Sequence, residues 1–191
     1  MYDVEDETYC YRGTTILRNK PGLRSQYDLD RFEAVMTAQR FDEPLPPGRL
    51  TVSHFRAVHR HIFQDVYGWA GQFRTVRIWK GDSPFCYPEN ISREMSRLFD
   101  GLKAHRYLFG IDAAAFADKA ATFLATLNAI HPFRDGNGRA QTAFLLLLAN
   151  RAGHPLNLER FDPDAFRHAM IAGFEGDEAP LRQRILMLAN G

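Results

Sequence analysis

Cysteine is scarce in this chain: Cys10 and Cys86 are the two among 191 residues. They fit neither a metal-ligand spacing nor a disulfide framework, and so few thiols suit a reducing compartment. An excess of one charge is also lacking, since Lys+Arg 24 against Asp+Glu 23 leaves a formal net charge of +1. That balance excludes a chain-wide electrostatic footprint for nucleic acid or an anionic membrane, though not a local basic patch. The longest apolar run, 143–149, is far too short to span a bilayer. The acidic start Met1-Tyr2-Asp3-Val4-Glu5-Asp6-Glu7 has neither the basic nor the apolar region of a secretory signal. These absences point to a protein folded in a cytoplasm, with later export into a host cell left open. No repeat, low-complexity stretch or Pro/Gly/Ser-rich linker divides the sequence, so a single domain over 1–191 is expected.

What is present is mainly helical periodicity. Residues 1–27 read as irregular, broken by Gly13, Pro21 and Gly22. A helix opens near Asp28–Asp30, with Leu29, Phe32, Val35 and Met36 at helical spacing. Thr51 is placed to cap a second, whose Phe55, Val58, Ile62 and Val66 line one face as far as Tyr67. The pattern changes over 73–87. Phe73, Thr75, Val76, Ile78 and Trp79 favour strand, Gly81-Asp82-Ser83-Pro84 favours a turn, and Phe85-Cys86-Tyr87 favours strand again. This predicts a β-hairpin with a loop longer than two residues. Helix returns over 89–105 on the stripe Ile91, Met95, Leu98 and Leu102. Asp112 caps the next, where Phe116, Ala120, Phe123, Leu127 and Ile130 share a face until His131-Pro132 ends it. Another helix starts near 136–139, runs through Phe144, Leu147 and Leu148, and is punctuated by Gly153 and Pro155. Asp162-Pro163 and Pro180 open two more, in a C-terminal helical region over 162–191. The predicted fold is an all-α bundle carrying one hairpin.

Between the two best-defined helices lies His131-Pro132-Phe133-Arg134-Asp135-Gly136-Asn137-Gly138-Arg139. A histidine at a helix C-terminus titrates near neutrality and can take a proton from a hydroxyl. Asp135 offers hard oxygens, suited to a Mg²⁺ that also holds substrate phosphates. Gly136-Asn137-Gly138 lets backbone N–H groups approach an anion at the positive end of the following helix. Arg139 sits in the first turn of that helix, where the dipole disfavours a cation unless an anion is present. Taken alone, Asp-Gly-Asn-Gly is ordinary turn punctuation. Base, metal ligand, anion cradle and guanidinium within nine residues are not. The other histidines, His54, His59, His61, His105, His154 and His168, show no metal spacing and read as surface or core residues.

This arrangement resembles the signature of the Fic family, H-x-F-x-[D/E]-G-N-G-R, and meets all seven specified positions. By chance such a match arises at on the order of one site in 10⁸ to 10⁹. The segment 65–76 also looks like the lead into the family's hairpin flap, and Lys80-Gly81 falls where that flap usually carries the same pair. The resemblance implies a Fic-type helical bundle with the hairpin beside the active site, and a protein adenylyltransferase using ATP and Mg²⁺. It implies that His131 is the general base and Asp135 the Mg²⁺ ligand. Gly136, Asn137 and Gly138 would form the anion hole, and Arg139 would neutralise the β-phosphate that leaves with pyrophosphate. Phe133 is expected to anchor the loop in the core. The hairpin 73–87 is expected to hold the target protein as an added strand, with Lys80 and Gly81 touching nucleotide or target.

Two departures stand out. The extended signature has a second arginine three residues after the first, and here that position is Thr142. In the family this arginine reaches the γ-phosphate and pairs with an inhibitory glutamate; Arg134 and Arg151 are the neighbours placed to compensate. The inhibitory helix bears [S/T]-x-x-x-E-[G/N], whereas Glu89-Asn90 and Glu175-Gly176 have Phe85 and Ile171 at the Ser/Thr position. A separate antitoxin-like inhibitor protein is therefore expected. The alternatives to AMP transfer are a weakened domain that only binds nucleotide or partner, prompted by Thr142, and a Fic-type phosphotransferase. The phosphotransferase branch replaces glycines that Gly136 and Gly138 keep here.

Overall fold

The structure, a computed structural model, describes residues 7–80 and 83–189, with Lys80 described by its backbone alone. Among the described residues it is mostly helical, with one short hairpin, as the periodicity predicts. The elements are α1 Gln26–Phe41, α2 Val52–Phe63, β1 Trp79–Lys80, β2 Ser83–Pro84, α3 Pro88–Ala104, α4 Ala113–Ile130, α5 Asn137–Ala152, α6 Pro163–Phe174 and α7 Ala179–Ala189. No described helix is long and apolar enough to cross a membrane.

Caps set most of the boundaries. Thr51 Oγ1 accepts from the His54 N–H, Asp112 Oδ1 from Ala115, and Asp162 Oδ1 from Asp164 and Ala165. α1 starts earlier than Asp28 because Ser25, whose Oγ accepts from the Asp28 N–H, is the cap. α2 ends at Phe63 and not at Tyr67. The N–H groups of Val66 and Tyr67 both bond to the Phe63 carbonyl at 3.0 Å, and this turn keeps both side chains buried without continuing the helix.

The hairpin is shorter than its sequence suggests. Trp79 pairs with Pro84 and Lys80 with Ser83, so Ser83-Pro84, expected in the turn, forms the second strand. This register leaves two positions, 81 and 82, between the strands, and they lie outside the described residues. The Phe85 N–H extends the pairing to the Ile78 carbonyl at 3.2 Å. Further down the stem the ladder gives way to a side chain: the Arg74 guanidinium takes the carbonyls of Val76 at 2.7 Å and Cys86 at 2.5 Å. Backbone acceptors that a strand partner would satisfy are satisfied by a buried arginine.

The chain groups into two compact units, one comprising the residues up to Ser92 with His131–Ala140, the other Arg93–Ile130 with the residues from Gln141 onward. In the second unit α4, α6 and α7 pack on one another, and Phe116, Leu124, Phe166, Leu181 and Ile185 on these helices are buried. The Phe99, Phe123 and Phe144 rings form a cluster there. In the first unit α1 and α2 pack together, and the core is aromatic, built from Phe55, Phe63 and Phe133. All nine residues of the 131–139 motif belong to this first unit.

Candidate active site

The motif loop is braced from within. Asn137, almost wholly buried at the first position of α5, accepts the Phe133 N–H on Oδ1 and donates from Nδ2 to the Phe133 carbonyl, both at 2.9 Å. Its side chain therefore shapes the loop, which leaves its backbone N–H as what it can offer an anion. The first N–H groups of an α-helix have no intrahelical partner.

Phe133 is fully buried, as expected of an anchor, with its ring stacked on His59 at 3.7 Å between centroids. His59 is also fully buried and bonds on both edges. Nδ1 accepts from the Gly71 N–H and Nε2 donates to the Asp135 carbonyl, each at 2.9 Å. Burial pushes its pKa down to about 3, so it is neutral and this tautomer is fixed. Gly136 has a φ of 78°, and a Cβ there would lie 2.3 Å from the Phe63 ring. Glycine is required on both counts.

His131 follows α4 directly with a φ of 48°, a left-handed conformation that costs a non-glycine residue roughly 1–2 kcal/mol. Arg74 holds it there: Nε donates to the His131 carbonyl at 2.8 Å, and the Arg74 N–H donates to the Pro132 carbonyl at 2.9 Å. The imidazole lies flat against Phe85, just beyond β2, with ring centroids 3.9 Å apart. The hairpin stem thus covers one face of the imidazole, and His131 is buried, only 6% exposed.

Asp135 is half-buried and its carboxylate accepts from the Gly136 N–H. Loss of water, then the nearby charge of Glu33, raises its pKa. A divalent cation would offset both causes. No described group of three His, Cys, Asp or Glu residues could hold a metal unaided. A single carboxylate completed by phosphates and water is a common Mg²⁺ arrangement, so Asp135 fits that ion.

Arg139, in the first turn of α5, donates from Nη2 to Glu33 Oε1 at 2.6 Å, and its guanidinium lies 4.5 Å over the Phe63 ring. Gly138 between them is exposed. The structure therefore brings His131, Asp135, Gly136, Asn137, Gly138 and Arg139 onto one braced loop and helix start. It does not describe Gly81 or the Lys80 side chain, expected at the nucleotide or target. Arg134 does not replace the missing second arginine: it is buried, with Nη2 on Cys10 Sγ at 3.8 Å. Arg151 does not either, since it lies in the last turn of α5 over the Phe109 ring.

Three residues that shape the site carry no motif signal. Nothing in the sequence singles out Glu33, or Arg74 beyond its place in the 65–76 segment, and His59 reads as a surface or core residue.

The sequence matches the Fic/DOC family over residues 49–149. It is 49% identical over 185 residues to a probable protein adenylyltransferase, y4lH, of Sinorhizobium fredii, covering 96% of each chain. It is 36% identical to a probable protein adenylyltransferase, Fic, of Escherichia coli K12, covering 92% of this chain and 88% of that one. Among solved structures, the BepC effector of Bartonella tribocorum with bound AMPPNP superimposes with a TM-score of 0.83, at 26% identity and 96% coverage of both. The N-terminal Fic domain of a Bartonella quintana effector with bound ADP gives 0.84, at 27% identity, covering 96% of this chain and 94% of that one. This chain belongs to the Fic/DOC family.

Proposed function

We propose that this chain transfers AMP from ATP to a hydroxyl of another protein, with His131 as general base. The enzymatic class follows from its relatives, which are named protein adenylyltransferases at 49% and 36% identity. The observation that carries the assignment of roles is the braced loop, with the imidazole at one end and the N-terminus of α5 at the other.

On this reading His131 takes the proton of the attacking hydroxyl, a form of help worth ~10²–10⁴ in rate. The start of α5, with Asn137 and Gly138, holds phosphate oxygens, joined by Gly136 once its N–H leaves the Asp135 carboxylate, and Arg139 faces the β-phosphate as pyrophosphate departs. Mg²⁺, when bound by Asp135, supplies positive charge to the phosphates. The target lies along the hairpin as an added strand, which brings its hydroxyl to His131 beside Phe85. Because neither Glu-[Gly/Asn] pair carries the inhibitory pattern, restraint falls to a separate antitoxin-like protein.

ATP labelled separately at the α- and γ-phosphates tests the reading in cell lysate. Label reaching protein from the α position alone is expected. Label from γ alone would mean phosphorylation, and label from neither would mean a binding module, the reading that Thr142 favours.

A further inference from the structure

Glu33 lies on α1, 106 positions before Arg139 in sequence, and belongs to no motif. Its two carboxylate oxygens are nevertheless both committed. Oε1 receives Arg139 Nη2 at 2.6 Å, and Oε2 accepts a very short hydrogen bond from the Tyr67 hydroxyl. Burial, followed by the charge of Glu33, holds the Tyr67 phenol well above its ordinary range, so the hydroxyl stays a donor. The Tyr67 ring is itself fixed by stacking on Trp69 at 4.4 Å.

We propose that Glu33, anchored by Tyr67, is a positioning residue that aims the Arg139 guanidinium at the β-phosphate of the bound nucleotide. The proposal rests on the reading of Arg139 as a phosphate ligand. A guanidinium carries five N–H donors in a rigid plane, so an arginine engaged through one nitrogen keeps donors for a second anion. Here Glu33 takes Nη2 and the Phe63 ring sets the plane. Without a counter-charge the positive end of α5 would push this cation outward into water, and ordering a free arginine side chain is costly. The Glu33–Tyr67 pair removes both penalties before nucleotide arrives.

Glu33 as a competitor of the phosphate is disfavoured by coverage. Its side chain is 16% exposed, against 35% for that of Arg139, so the arginine keeps an open side while the glutamate is largely covered. Glu33 is a support for the arginine.

The test measures ADP and AMP binding by calorimetry with Mg²⁺, for the wild type, Glu33→Ala, Glu33→Gln, Tyr67→Phe and Arg139→Ala. AMP lacks the β-phosphate, so a change in fold moves both ligands while a change in aim moves ADP alone. Glu33→Ala is expected to bind ADP about tenfold more weakly with AMP unchanged, a loss in keeping with one charge-assisted hydrogen bond. Glu33→Gln, which keeps an acceptor, and Tyr67→Phe, which keeps the ring, should lose less. Unchanged or tighter ADP binding in Glu33→Ala, beside a clear loss in Arg139→Ala, would overturn the proposal. So would equal losses of ADP and AMP. If Arg139→Ala itself leaves ADP binding intact, the reading of Arg139 fails instead.

Discussion

Arg74 Nε donates to the carbonyl of His131 at 2.8 Å, and the same buried guanidinium holds Val76 and Cys86 on the two sides of the hairpin stem. One side chain thus ties the backbone of the proposed base to the hairpin that covers its ring. The hairpin stem and His131 are positioned together.

Replacing Arg74 with methionine, which keeps much of the apolar volume, leaves the carbonyls of His131, Val76 and Cys86 without this donor. At roughly 1–3 kcal/mol for a buried acceptor, and less for the half-buried Val76 and Cys86, the loss of stability should reach about 3 kcal/mol. Denaturant unfolding reads that loss. Where the variant remains folded, turnover should fall more than ATP binding, because the left-handed His131 backbone is no longer held.

His59 gives the folded chain a defined response to acid. Its pKa is about 3 when folded, below the ordinary value of 6.5. The unfolded imidazole therefore takes up a proton that the folded one refuses. Its contribution is complete above about pH 6.5 and is lost as pH falls toward 3, at about 1.4 kcal/mol per unit for one proton. Comparing unfolding free energies of the wild type and His59→Gln at pH 7 and 5 should show the shallower pH dependence in the variant.

Asp135 has a pKa raised on folding, first by loss of water and then by Glu33. The sign is opposite: protonation favours the folded state, and the stability present at low pH is lost as pH rises through the folded pKa. At neutral pH its charge works against the fold. Asp135→Asn should therefore melt higher than the wild type without metal, while Mg²⁺ should raise the melting temperature of the wild type alone. Thermal unfolding with and without Mg²⁺ checks both, and AMP transfer by the variant should be abolished.

The helices were legible because caps and apolar spacing are local, and Thr51, Asp112 and Asp162 each cap where the sequence placed them. The motif was legible because its residues are contiguous. The hairpin was read too long, since β-favouring residues at Phe73–Ile78 satisfy their backbone partly through Arg74, which no period-two pattern reveals. Glu33 was invisible for a similar reason. Its role depends on α1 lying beside the start of α5, a juxtaposition made only by folding.

Thr142 sits half-buried on α5 three residues beyond Arg139, and neither Arg134 nor Arg151 substitutes for the arginine the family signature has there. Thr142→Arg should increase affinity for ATP relative to ADP, because the added cation meets the γ-phosphate. Paired binding measurements on the two nucleotides give the ratio directly.

The most direct test of the whole account is mass spectrometry of labelled target protein after incubation with ATP and Mg²⁺, comparing the wild type with His131→Ala. The wild type should leave one AMP on a hydroxyl side chain of the target, and His131→Ala should leave almost none while binding ATP as well as before. An equal yield of adduct from His131→Ala, or an adduct of phosphate in place of AMP, would contradict it.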